Sequence, residues 1–144
     1  MIPDSYVPDL QLRLGLYRRL ADLAETSEIE AFAAELIDRF GPMPEEVRHL
    51  LEIVTIKTLC RKANVEKLDV GPKGAVISFR GSRFANPAGL MRWIVQEKSL
   101  AKVRPDQRVV FIRDWEDPAK RLKGAAALMI LLSRIAGEGE KAAA

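Results

Sequence analysis

Chemically versatile side chains are scarce in this sequence. A single cysteine, Cys60, and a single histidine, His49, stand among 144 residues. One cysteine excludes a disulfide framework and a cysteine-based zinc site. It fits a reducing cytosol, and a cytoplasmic location is expected. With one histidine and one cysteine, a transition-metal site has too few ligands. No run of about 18 apolar residues occurs, so no stretch reads as a membrane-spanning helix. The start, MIPDSYVPDL, lacks the basic-then-apolar order of a signal peptide.

Catalytic patterns are missing too. There is no GxxxxGK-S/T phosphate loop, no GxGxxG after a strand and no HExxH. Gly71, Gly74, Gly81 and Gly89 are too scattered to cradle a phosphate. No serine lies in a G-x-S-x-G context. Glu45/Glu46 and Glu116/Asp117 sit at helix starts, where the dipole alone favours acids, so they do not mark an acid–base pair. The chain is therefore read as non-enzymatic, with no catalytic residue, metal or cofactor.

What the chain does have is an ample apolar content, 48% of residues, enough for a packed core. Its length suits one domain. The net charge of +3 hides an asymmetry. Residues 1–60 hold six Lys and Arg against eleven Asp and Glu; residues 61–144 hold seventeen against nine. An acidic half and a basic half offer two faces for two partners, unless the charges intermix on folding.

Helical punctuation dominates the first half. Asp9 caps a helix on which Leu10, Leu14, Tyr17, Leu20 and Ala21 fall at helical spacing, widened by Leu12 and Leu16. Ser27 to Glu30 spell a capping box, which predicts a second helix from about Glu28. Its buried stripe is Ile29, Phe32, Ala33, Leu36 and Ile37, with Phe40 one turn further on. Gly41 then ends the helix and Pro42 blocks its continuation. Pro44 opens a third helix running to about Ala63, which buries Val47, Leu50, Leu51, Val54 and Leu59.

The pattern then changes. Val65–Val70 alternates, Gly71–Gly74 turns, and Ala75–Phe79 returns as the second strand of a hairpin. Val65, Lys67 and Asp69 are expected on one side of the first strand. Asn86-Pro87 starts a helix through about Lys98, with Leu90, Trp93 and Ile94 inward. Residues 101–103 and 108–112 read as a second strand pair. Asp117-Pro118 starts a last helix through about Ile135, with Leu122, Ala125, Ala126, Met129, Leu132 and Ile135 inward. The expectation is an α+β fold in which helices pack around a small sheet. Residues 1–136 are read as one domain and residues 137–144 as a disordered tail.

Two binding classes remain. Arg80, Arg83, Arg92, Lys98, Lys102, Arg104, Arg108 and Arg113, with Phe84 and Trp93, can form a basic nucleic-acid face. No RNP, KH or zinc-finger pattern accompanies them. The other class is a protein contact at ELIDRFG. Glu35, Asp38 and Arg39 lie off the apolar stripe near the carbonyl end of their helix. Acids there oppose the dipole, a small cost unless a cation of the chain, such as Arg39, or a partner meets them.

Three stretches carry a family resemblance: IPDSYVPD, then RLGLYRRLA, then ELIDRFGPMP. Together they resemble the C-terminal domain of bacterial transcription-repair coupling factors, the Mfd family, over roughly residues 2–136. The resemblance implies that the parent is an ATP-driven DNA translocase, of the ATP-dependent helicase family. It displaces stalled RNA polymerase and recruits UvrA for nucleotide excision repair. It implies that this domain is autoinhibitory. It would pack on an N-terminal UvrB-like module of the same protein and hide the UvrA-binding surface there until polymerase and DNA are engaged. The interface is expected at Glu35, Asp38 and Arg39, with Arg13 and Arg18 extending the contact or pairing with Glu35. No membrane or small-molecule substrate is expected. The alternative is an accessory DNA-binding module of the translocase.

Overall fold

The structure is a computed structural model that describes residues 1–143. The chain forms two compact units, Met1–Thr58 and the part from Leu59 onward. The boundary falls within two residues of the change from acidic to basic composition, so each unit carries its own charge sign.

The first unit is helical. α1 spans Leu10–Asp22, α2 Thr26–Phe40, and α3 Glu45–Lys62, whose last turn belongs to the second unit. Asp9 caps α1 as its sequence suggests: its carboxylate accepts the Leu12 N–H at 3.0 Å. The face that α1 buries is only part of the expected one. Leu16 and Leu20 are buried, and Leu12 and Tyr17 pack against the same core. Leu10 and Leu14 are exposed. Leucines at 10, 12, 14 and 16 fit two overlapping helical stripes, and only tertiary packing chooses between them.

The capping box of α2 lies two residues earlier than Ser27 suggests. The helix starts at Thr26, and the Glu28 carboxylate accepts the Glu25 N–H at 3.0 Å. Ile29, Phe32 and Leu36 are buried as the spacing requires, whereas Ile37 is 48% exposed. Gly41 ends α2 with φ at +91°, a conformation that glycine adopts without a Cβ penalty. Ile2, Val7 and Val47 complete this core together with Leu51. Each fully buried aliphatic or Phe side chain adds roughly 1.5–3 kcal/mol.

The second unit holds a four-stranded antiparallel sheet and two helices, giving the α+β class expected. The strands are β1 (Val65–Gly71), β2 (Gly74–Phe79), β3 (Ala101–Val103) and β4 (Val109–Ile112), in the order β1-β2-β4-β3. α4 spans Pro87–Gln96 and α5 spans Pro118–Ala143, beyond the end at Ile135 that the sequence suggests. Gly139 explains part of that extension. A Cβ there would collide with Asn86 and Ala85, so the absence of a side chain lets this turn of α5 lie close to the start of α4.

A register shift corrects the expected facing of β1. Val65 pairs with Phe79 and Lys67 with Ser78, so an extra residue sits between them. This bulge puts Val65 on the side of Leu68 and Val70, away from Lys67 and Asp69. The core between sheet and helices contains Ile77, Phe79, Val109, Phe111, Trp93, Met129 and Leu132. Trp93 and Phe111 lie 5.4 Å apart between ring centroids, and Phe111 and Trp115 lie 5.9 Å apart. Asn86 ties the helices together: its Oδ1 accepts the Gly89 N–H and its Nδ2 donates to the Ile135 carbonyl, both at 3.0 Å.

Candidate protein-interaction surface

The end of α2 is fixed before any partner reaches it. Pro3 and Pro8 flank a short turn that places Tyr6 against the helix terminus. Tyr6 Oη lies 2.8 Å from the Gly41 carbonyl, an acceptor left free past the end of the helix, and 3.1 Å from that of Leu36. The Tyr6 ring packs on Phe40 at 5.8 Å. Burial pushes the Tyr6 hydroxyl pKa up, so it stays a donor.

Glu35 lies one turn before this end and holds two arginines. Arg19 grips it as a two-point fork, with Nη1 2.6 Å from Oε2 and Nη2 2.7 Å from Oε1. Arg39, one turn on, adds Nη1 to Oε2 at 2.9 Å. The hydrogen bond from Arg19, then that from Arg39, lowers the Glu35 pKa from 4.5 to about 2. Both guanidinium groups also lie over rings, Arg19 over Phe32 at 5.1 Å and Arg39 over Phe40 at 5.0 Å. Such stacking limits the wandering of long side chains.

The five residues singled out in the sequence therefore separate. Glu35 and Arg39 meet each other. Arg13 and Arg18 do not pair with Glu35. Arg13 instead donates to the carbonyls of Val7 at 2.7 Å and Pro8 at 3.2 Å, which anchors the entry to α1. Arg18 is exposed with no partner among the described residues. Asp38 is likewise exposed and without a partner among the described residues.

Arg19 was missed in the sequence because the acid it meets lies sixteen residues away on another helix. A signal existed: Glu35 opposes the dipole of α2 and so calls for cations. Ile37 was missed because its spacing fits the buried stripe. The result is a surface with a bare apolar side chain, an unpaired carboxylate beside it, and a cation cluster held in place by Glu35. At 100° per residue Asp38 lies in the middle of the open side of α2, with Ile37 on one flank and the Glu35–Arg39–Arg19 cluster on the other.

Among the described residues no cluster of three His, Cys, Asp or Glu could hold a metal ion. His49 lies 3.7 Å from Glu45 on the open face of α3. Burial raises the Cys60 pKa, which disfavours its thiolate. No helix of the described residues is long and apolar enough to cross a membrane. The aromatics that a nucleic-acid platform would use face inward: Phe84 packs on Phe79 at 5.1 Å, and Trp93 on Phe111.

Comparison with known proteins gives the family. The family profile described as the TRCF domain matches residues 1–90. The transcription-repair-coupling factor of Rickettsia conorii is 43% identical over 116 residues, 81% of this chain and 10% of that protein. That of Escherichia coli K12 is 32% identical over 123 residues, 85% of this chain and 11% of that protein. This chain thus spans about a tenth of the length of these relatives. A crystal structure of the C-terminal domain of transcription-repair coupling factor has the same fold. Its TM-score is 0.72 at 23% identity, over 94% of this chain and 88% of that one. The fold is thus shared with that domain, and this chain belongs to the TRCF-domain family of transcription-repair coupling factors.

Proposed function

We propose that this chain is the autoinhibitory, non-catalytic C-terminal domain of a cytoplasmic transcription-repair coupling factor. In this reading it packs on the UvrB-like N-terminal module of the same longer protein. It masks UvrA binding there and restrains the ATP-driven DNA translocase until RNA polymerase and DNA are engaged.

The observation that supports the reading is the partnerless Asp38 on the open side of a helix end held by Tyr6, with exposed Ile37 on the adjoining flank. An autoinhibitory contact has to form and release. A few kcal/mol is enough to shift such a population, and a small contact with a charged rim supplies about that. Glu35 acts within the domain in this account. Its oxygens are occupied, and its part is to hold Arg39 and Arg19 toward the partner. Asp38, Arg39 and Ile37 make the contact, and Arg18 extends it.

Calorimetry of this chain against the isolated UvrB-like module tests the reading. Saturable binding that is lost in Asp38→Arg and in Ile37→Ser supports it. Equal binding by all three proteins removes the end of α2 from the interface. The accessory DNA-binding alternative predicts instead a steep salt dependence of DNA affinity that Arg104→Glu flattens.

A further inference from the structure

The sheet has a second face. Trp93 of α4 packs on Phe111. Ala75, Ile77 and Val109 share the face of Phe111 and are buried with it. Alternation turns the residues between them the other way. One register row crosses all four strands on this outer face: Asp69 pairs with Val76, Val76 with Val110, and Val110 with Lys102. From β1 to β3 the row reads acid, valine, valine, base. Asp69 and Lys102 are exposed, and the two valines are partly buried.

The next outward row, toward the hairpin turn, is Gly71, Gly74 and Ile112. Neither glycine has a side chain, and a Cβ at Gly71 would meet nothing within 4 Å. A shallow hollow of about 640 Å³ lies here. The hairpin and β4 line it, and no residue of α4 or α5 does, which places it on the outer face. Ile112 stands at its side, 38% exposed.

This pattern is complementary to itself. A second copy can be laid face to face about a two-fold axis parallel to the strands. The strand order is then reversed across the contact. Asp69 of each copy faces Lys102 of the other, and Val76 faces Val110. Ile112 of each copy stands over Gly74 of the other, where the hollow has room for it. A two-fold axis across the strands would instead set Asp69 against Asp69 and Lys102 against Lys102. One orientation alone satisfies both charge and shape.

We propose that the outer face of the sheet binds a second copy of this chain, sheet against sheet. Aligned sheets pack about 10 Å apart, within reach of a Lys–Asp pair that spans the gap. Lys67 and Ser78 follow on the same face and make it polar, so the contact centres on the hairpin end. Four strands give a patch only about 19 Å wide. That is less than a permanent dimer needs, so the dimer is weak and reversible. A nucleic acid fits less well, because the face carries both charge signs and its floor offers no ring for a base to stack on. The proposal is independent of the contact at α2.

The test is sedimentation equilibrium of this chain at concentrations up to about 1 mM, the range in which a small interface associates. Asp69→Lys sets like charges against Lys102 of the second copy. Lys102→Asp sets like charges against Asp69. Each variant alone should associate at least about tenfold more weakly than wild type. An equimolar mixture of the two restores both opposite-charge pairs, and dimers should return. Ile112→Glu, at an exposed position, should also weaken association. Three results would overturn the proposal. One is a wild-type chain that stays monomeric throughout. Another is a mixture that associates no better than its two components. The third is association unchanged in all three variants. A monomeric chain that binds an oligonucleotide through Lys102 would assign the face to nucleic acid instead.

Discussion

Tyr6 Oη lies 2.8 Å from the carbonyl oxygen of Gly41, thirty-five residues later in the chain. This bond fastens the segment before α1 over the end of α2, where the free carbonyls of a helix collect. Tyr6→Phe removes one hydroxyl and leaves the ring on Phe40. Loss of about 1 kcal/mol of stability is expected, read as a lower urea midpoint with an unchanged slope. An unchanged midpoint would mean that water replaces the bond without cost.

Glu35 gives a pH signature. Its folded pKa is about 2, below its ordinary 4.5. A depressed carboxylate pKa stabilises the fold above the unfolded value and loses that contribution as pH falls through the folded value. The stability gap between wild type and Glu35→Gln should therefore be constant above about pH 5 and shrink between about pH 4.5 and pH 2. Carboxyl NMR titration of Glu35 checks the same point directly. A midpoint near the ordinary value would show that the arginine fork is open in solution.

Gly74 opens β2 with φ at +127°. A Cβ there would meet the Phe111 carbonyl oxygen and the Arg113 nitrogen, both backbone atoms that cannot step aside. Gly74→Ala should cost about 1–3 kcal/mol, whereas Gly71→Ala, with open space around it, should cost less. Thermal unfolding of the two variants compares a strained glycine with a free one in the same turn.

Much of this architecture was legible in local chemistry. The hairpin showed itself through Gly71-Pro72-Lys73-Gly74 between alternating runs, and α4 through Asn86-Pro87. Each is a signal that short-range sterics enforce. Legibility failed where long-range packing decides. The choice between Leu10/Leu14 and Leu12/Leu16 on α1 rests on what covers the helix. The bulge after Val65 rests on pairing with Phe79. The strand order places β4 between β2 and β3, a crossover that no local pattern records.

The arrangement at the end of α2 was half legible. Asp38 and Arg39 stood out because charges at the end of an amphipathic helix have no role in its core. Glu35 stood out equally, and its oxygens are held by Arg19 and Arg39. Its partner Arg19 lies on α1, and a fork across two helices has no signature in either one. Ile37 was hidden by its fit to the stripe, since helical spacing cannot show that a neighbour stops short of the last turn.

A separation between Glu35 and Asp38 follows. Glu35→Gln should weaken the contact at α2 indirectly, by freeing Arg19 and Arg39 to wander, and should lower thermal stability as well. Asp38→Arg should abolish the contact and leave stability within about 0.5 kcal/mol of wild type, as for an exposed side chain without partners. Calorimetric binding and thermal melts on the same samples distinguish an organising residue from a contacting one.

The most direct measurement is UvrA binding by the full-length parent protein carrying Asp38→Arg, without polymerase or DNA. The account predicts affinity about tenfold or more above wild type, because the masked surface is released while the domain stays folded. UvrA binding identical to wild type, in a protein whose domain melts normally, would contradict an autoinhibitory contact at the end of α2.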